Sequence, residues 1–175
     1  MYRKKRNIFQ PLERFQMIYG MRSKMEFFHN AAAPKHVENF KRLSQGGFYN
    51  GTLFHRIDKN FVIQGGDPNT RQNGTGREQR GTGHPGFSLV EEFNTIPHER
   101  GIVSMARSSD PNSAGYQFFI VINEAPFLDN QYTVFGRVIE GMDVVDKIEA
   151  LPAVQNNQPA DLEAARIQSI SINER

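Results

Sequence analysis

Asn50-Gly51-Thr52-Leu53-Phe54-His55-Arg56-Ile57 and, three residues later, Phe61-Val62-Ile63-Gln64-Gly65-Gly66-Asp67-Pro68 decide the class of fold. Asn-Gly suits the two positive φ angles of a type I′ turn, so Asn50-Gly51 predicts a tight reversal. Thr52–Ile57 and Phe61–Gln64 are short runs rich in aromatic and β-branched residues, bounded by turn residues, and read as strands. The same pattern recurs along the chain. Phe15–Tyr19 and Lys24–Phe28 predict two strands around a turn near Gly20. Further strands are expected at Phe87–Val90, Ile102–Ala106, Tyr116–Ile122, Thr133–Ile139 and Ile167–Ile172. Only two segments have a helical period. Pro34 opens one, with Val37, Phe40 and Leu43 on one stripe and Gly46-Gly47 as its stop. Gly141 opens the other, with Met142, Val145 and Ile148 on its stripe and Pro152 beyond it. Residues 65–86 are glycine-rich and poor in apolar side chains, and predict a long loop; 153–165 are polar. Many short strands and two lone helices imply a mainly β fold rather than alternating βαβ units.

The chain has 175 residues, the size of one domain. There is no cysteine, which excludes disulfides, thiolate metal sites and a cysteine nucleophile, and fits a reducing compartment. The longest apolar run, Phe118–Ile122, is five residues, far short of a membrane span. The net charge of +2 is uneven. Residues 1–14 carry Arg3, Lys4, Lys5, Arg6 and Arg14 against Glu13, a net +4, so the rest sums to −2. Residues 1–12 are expected to be a basic, poorly ordered extension and 13–175 the folded domain. No apolar stretch of signal-peptide length follows Arg6, so the expected location is the cytoplasm. No aromatic-basic pattern accompanies Arg3–Arg6, so nucleic-acid binding ranks last among the functions and no membrane contact is expected. No heptad is evident, and a monomer is the default expectation.

The common catalytic patterns are missing. His29, His36, His55, His84 and His98 show no paired metal-ligand spacing, so neither metal nor cofactor is expected. There is no G-x-S-x-G elbow, and the glycine repeats at 74–76 and 81–83 lack the G-K-[ST] of a phosphate loop. Glu91 and Glu92 would face opposite ways in a strand and make no acid/base pair.

What remains is a set of residues in a fixed order. Phe54-His55-Arg56 precedes Phe61–Asp67; Ser104-Met105-Ala106-Arg107 precedes Ser113-Ala114-Gly115-Tyr116-Gln117-Phe118-Phe119-Ile120; Phe127-Leu128-Asp129 precedes Tyr132–Gly136; Ala33-Pro34 and Val37–Phe40 stand upstream. Taken together, from about residue 15 to residue 173, this resembles the cyclophilins, the peptidyl-prolyl cis-trans isomerases. The resemblance implies a closed eight-stranded antiparallel β-barrel capped by two helices, with an active groove on its outer side. It carries the family's arginine onto Arg56, its proline pocket onto Phe61, Val62, Phe119 and Leu128, and its polar groove onto Gln64, Ala106, Arg107 and Gln117. Phe127 and Tyr132 take the positions of a pocket aromatic and a groove histidine. Of these, Arg56, Phe61, Gln64 and Gln117 are expected to be catalytic and the others to bind substrate. The implied partners are proline-containing peptides and unfolded proteins. Phe127 replaces a tryptophan common in the family, so cyclosporin is expected to bind weakly.

The chemistry suits these residue types. Amide resonance slows rotation about an X–Pro bond to tens or hundreds of seconds. The twisted amide must be bound better than either planar form. Its nitrogen regains lone-pair character, to which a permanently charged guanidinium can donate. Strand parity gives a second, independent expectation: Gln117 and Phe119 point one way, Phe118 and Ile120 the other, so Phe118 belongs to the core and Phe119 to the groove. By the same parity Phe61 and Gln64 face oppositely and share a groove only if the chain is irregular there. The competing function is a non-catalytic module or chaperone of the same fold that holds proline segments; the intact Arg56 favours the enzyme.

Overall fold

The computed structural model describes residues 13–19, 21–28, 32–71, 76–83 and 86–174. Residues 1–12, Gly20, His29, His84 and the glycine repeat at 74–76, save Gly76 itself, lie outside the described set, as do the expectations placed on them.

The described residues form ten strands and two α-helices: β1 (Glu13–Tyr19), β2 (Met21–Phe27), α1 (Pro34–Gln45), β3 (Phe54–Asp58), β4 (Val62–Gly65), β5 (Ile102–Met105), β6 (Phe118–Val121), β7 (Val134–Glu140), α2 (Met142–Glu149), β8 (Ala153–Val154), β9 (Gln158–Pro159) and β10 (Ser169–Glu174). Eight make one antiparallel sheet in the order β10-β1-β2-β7-β5-β6-β4-β3. β8 and β9 pair separately. The segments beside the two edge strands meet: Gly51 N donates to Ile167 O at 2.8 Å, Ile167 N to Thr52 O at 2.7 Å and Phe54 N to Ala165 O at 2.8 Å.

Alternation along each strand sends one set of side chains inward. Phe27, Phe54, Ile63, Val103, Phe118, Ile120 and Phe135 form one buried cluster, with Phe40 of α1 and Val145 and Ile148 of α2 packed into it. Phe40 is its centre, with ring centroids 4.9 Å from Tyr49, 5.0 Å from Phe135 and 5.3 Å from Phe118. α1 thus buries the whole stripe read from the sequence, while α2 buries Val145 and Ile148 of its stripe together with Val144 and leaves Met142 partly covered.

The ends of α1 show local rules and a long-range substitute. Gly47, at φ +69°, ends it in a Schellman arrangement: Phe48 N donates to Leu43 O and Gly47 N to Ser44 O. At the start, Ala33 offers no side-chain cap. Glu92 supplies it from elsewhere in the chain, accepting from Lys35 N, His36 N and His36 Nδ1.

Two expectations are corrected, and two further stretches are filled in. Asn50-Gly51 is not a type I′ turn, because only Gly51 has positive φ; Thr52 N closes the turn on Tyr49 O as the chain leaves α1. Phe87–Val90 is not a strand: only Leu89 bridges, to Ala114, since no long partner lies alongside. Glu91 and Glu92 therefore lie in irregular chain, where Glu92 caps a helix. The polar stretch 153–165 contains the β8–β9 pair. No helix among the described residues is long and apolar enough to cross a membrane.

Candidate active site

The outward face of the same strands carries a second, smaller apolar cluster. Val62, Phe119, Val121, Leu128 and Val134 are buried in it, with Phe61, Ala106 and Tyr132 partly covered. Register builds the site sideways across the sheet. Arg56 of β3 stands opposite Gln64 of β4, Gln64 opposite Phe119 of β6, and Phe119 opposite Ser104 of β5. One cross-strand row thus puts a guanidinium, an amide and an aromatic ring on one surface. The register shift between Phe54 and Arg56 marks an irregularity in β3 that precedes this row.

A groove of about 380 Å³ follows the row. Arg56, Phe61, Val62, Gln64, Ala106, Arg107, Phe119, Phe127, Leu128 and Tyr132 all line it, together with Gln131. Gln117 lies outside this groove, in an adjoining recess whose walls include Gln64, Ala106, Arg107, Gly81 and Tyr116. The structure therefore brings every residue picked from the sequence into two joined hollows. Phe61 reaches the groove because it precedes β4: its N–H closes a turn on Asp58 O, so strand parity does not govern it. Val62 and Gln64, two apart in β4, share the outer face. Phe118 is fully buried in the inner cluster while Phe119 joins the outer one, as parity requires.

A hydrogen-bonded rail runs under the groove. Arg56 Nη2 donates to Asp58 Oδ2 at 2.6 Å and Nη1 to Gln64 Oε1 at 3.3 Å. Gln64 Nε2 donates to Gln117 Oε1 at 2.9 Å, and Gln117 Nε2 to Gly81 O at 3.0 Å. Gly81 belongs to the glycine-rich loop, which a buried carboxylate holds in place. Asp67 accepts from Gly81 N at 2.5 Å, Gly83 N at 3.2 Å and Asn69 N at 2.9 Å. Gly83 approaches so closely that a Cβ would lie 2.2 Å from Asp67 Oδ1 and 2.8 Å from Tyr116 Oη, which excludes a side chain there.

The apolar end is a stack. The Phe61 and Phe127 rings are 5.4 Å apart, with Phe127 63% exposed. His98 lies parallel behind Phe119 at 6.0 Å, and Tyr132 stands edge-on to Phe119 at 5.7 Å. His98 also fastens the loop that carries Phe127 and Leu128. Its backbone N and its Nδ1 both meet Asp129 Oδ1, at 2.8 and 2.9 Å, and its Nε2 meets Ser104 Oγ at 3.2 Å. Burial lowers the His98 pKa despite the Asp129 carboxylate, which favours the neutral ring. Burial lowers that of His55, beside Asp67 beneath the recess, to about 4. Neither histidine lines the groove. No group of three or more His, Asp or Glu side chains is placed to hold a metal among the described residues.

Three contributors were missed in the sequence: Asp58, Gln131 and the His98–Asp129 pair. Asp58 had a usable signal, since it is two residues from Arg56 in one strand and so shares its face. Gln131 and His98 reach the site through loops whose paths local pattern does not fix.

Comparison with known proteins bears on the family and the fold. The family model described as "Cyclophilin type peptidyl-prolyl cis-trans isomerase/CLD" matches residues 21–172. A "Probable peptidyl-prolyl cis-trans isomerase" of Brucella abortus is 46% identical over 127 residues, 71% of this chain and 65% of that protein. The chain thus spans just under two thirds of the length of that relative. A "Peptidyl-prolyl cis-trans isomerase" of Acinetobacter baylyi is 40% identical over 155 residues, 82% of this chain and 79% of its own. The crystal structure of a Cryptosporidium parvum cyclophilin type peptidyl-prolyl cis-trans isomerase, determined in the presence of the dipeptide Ala-Pro, superposes with a TM-score of 0.80 at 32% identity. That match covers 93% of this chain and 99% of the other. By sequence over most of its length and by fold, this chain belongs to the cyclophilin-type peptidyl-prolyl cis-trans isomerase family.

Proposed function

We propose that the chain catalyses cis–trans isomerisation of X–Pro bonds in polypeptides, with the groove between Arg56 and the Phe61–Phe119–Leu128 wall as its active site. The observation that carries this is the cross-strand row itself: a guanidinium held by Asp58 and Gln64 lines the same open groove as the apolar side chains of Phe61, Val62, Phe119 and Leu128. The ring enters between Phe61, Val62, Phe119 and Leu128, and its burial from water supplies binding. Arg56 then donates to the prolyl nitrogen as the amide twists, an interaction unavailable to the planar amide, whose lone pair is delocalised. Gln64 limits the rotation of Arg56, so the donor is oriented before substrate arrives. Gln64 and Gln117 offer amide groups to the peptide backbone beside the ring. Proline-containing peptides and unfolded chains are the substrate class.

The same reading takes the sheet as a closed barrel, which would fix the curvature of the row. Its support is the set of three main-chain hydrogen bonds between residues 51–54 and 165–167 beside the edge strands.

The test is turnover of a prolyl peptide by the purified chain in a protease-coupled assay. Catalysis proportional to protein concentration is expected. Saturable peptide binding with no acceleration would instead make this a proline-holding module.

A further inference from the structure

Two guanidiniums face the cleft, and they are neutralised differently. Arg56 is matched by the Asp58 carboxylate at 2.6 Å. Arg107 has no carboxylate partner among the described residues. Its Nε donates to the Gln131 carbonyl at 2.9 Å and its Nη1 to the Ser108 carbonyl at 2.8 Å. Its Cζ lies 4.5 Å from the Tyr132 ring centroid. Carbonyl dipoles and a ring face fix the group in place without cancelling its charge. Nη2 is left without a hydrogen bond to any described residue.

The position of this charge matters. Arg107, with Gln64 and Ala106, lines both the groove and the adjoining recess, and so stands where they join. No aspartate or glutamate lines either hollow among the described residues. A peptide with its proline in the apolar end must pass this junction to enter the recess. The residues next to the proline are the ones that reach it. A side-chain carboxylate there would meet an oriented, uncompensated guanidinium beside aromatic walls, where the pair is less screened than in open water.

We propose that Arg107 makes the cleft select an acidic residue, Asp or Glu, near the substrate proline. Arg107 is then a specificity residue of the isomerase reading, on which this inference rests. The competing role is a clamp on Tyr132, in which the charge is incidental.

The experiment is a set of prolyl peptides, alike except for Glu, Gln or Lys at each of the two positions on either side of proline. kcat/KM is measured for wild type, Arg107→Gln and Arg107→Lys. At one or more positions, wild type should turn over the Glu peptide about fivefold faster than the Lys peptide, near the upper end for a partly exposed ion pair. The ratio should shrink with added salt, approach one in Arg107→Gln and survive in part in Arg107→Lys. Ratios near one throughout wild type would overturn the proposal while leaving the isomerase reading intact. So would a wild-type preference that Arg107→Gln does not alter, or one in which all peptides lose rate equally, the mark of a clamp. No turnover of any peptide would bring down both readings.

Discussion

Phe118 and Phe119 are consecutive in β6 and both are buried, yet they belong to different regions. Phe118 packs edge-on against Phe40, Tyr49 and Phe54 in the inner cluster, sealed by two helices. Phe119 packs against His98 and Tyr132 on the outer face, where loop residues rather than helices cover it. The inner region has enough rings to close on itself. The outer one is left open beside Phe61 and Phe127, and the opening is where Arg56 stands. Composition does not separate the two regions; strand parity and incomplete coverage do.

Substitution should split the neighbours most sharply. Phe118→Ala is expected to cost about 3–5 kcal/mol of stability, since the closed core cannot fill the void. Phe119→Ala opens a space that the groove already connects to solvent, so its cost should be smaller, about 1–3 kcal/mol. Its kcat/KM should fall further than its stability explains. Urea unfolding alongside peptide turnover measures both, and equal patterns in the two variants would erase the distinction.

Acid should act on the interior before the chemistry of the groove. Burial lowers the pKa of His55 to about 4, opposed by the neighbouring Asp67, and lowers those of His36 and His98. The unfolded chain takes up these protons first, near the ordinary histidine value. Stability is therefore full above about pH 6.5 and is lost as pH falls through the depressed values, by about 3 kcal/mol near pH 4 from His55. Unfolding midpoints from pH 7 to 4 should fall, and fall less steeply in a folded His55→Gln variant. Turnover should stay flat between about pH 6 and 9, because no acid or base is involved. A bell-shaped profile near pH 6.5 would bring a histidine into the mechanism.

At the open rim, Phe127→Trp should tighten cyclosporin binding. Tryptophan-bearing cyclophilins, as the family resemblance implies, bind the drug through the indole N–H, a donor that phenylalanine lacks. The missing hydrogen bond is expected to cost about 1–3 kcal/mol, or roughly ten- to more than hundredfold in affinity. Inhibition titrations of the two proteins check this, and nanomolar inhibition of wild type would remove position 127 from control. The smallest effect is expected at the start of α1. Glu92→Ala removes the distant cap of α1 and should lower stability by about 1 kcal/mol, seen as a small shift in unfolding midpoint, with turnover unchanged.

The sequence made most of this legible where a rule is local. Periodicity located both helices, and alternation separated Phe118 from Phe119. The ordered positions from Arg56 to Tyr132 named the residues that line the groove, Gln131 excepted, and Gln64, Ala106, Arg107 and Gln117 of the recess. It was silent where partners are distant. Nothing near Ala33 indicates that Glu92 will cap its helix, and nothing near Pro97 indicates that His98 will bind Asp129. Asn50-Gly51 misled because the helix exit, not a hairpin, sets its geometry. Phe87–Val90 misled because β-propensity without a partner strand gives a single bridge.

The central claim is that Arg56 lowers the barrier while the interior alone maintains the fold. It is tested most directly by kcat/KM of Arg56→Ala on a prolyl peptide, read beside its melting temperature. The account predicts a loss of roughly 10²–10³-fold, the size seen when one preorganised donor is removed, in a protein that melts close to wild type. Near-normal turnover by folded Arg56→Ala would contradict it.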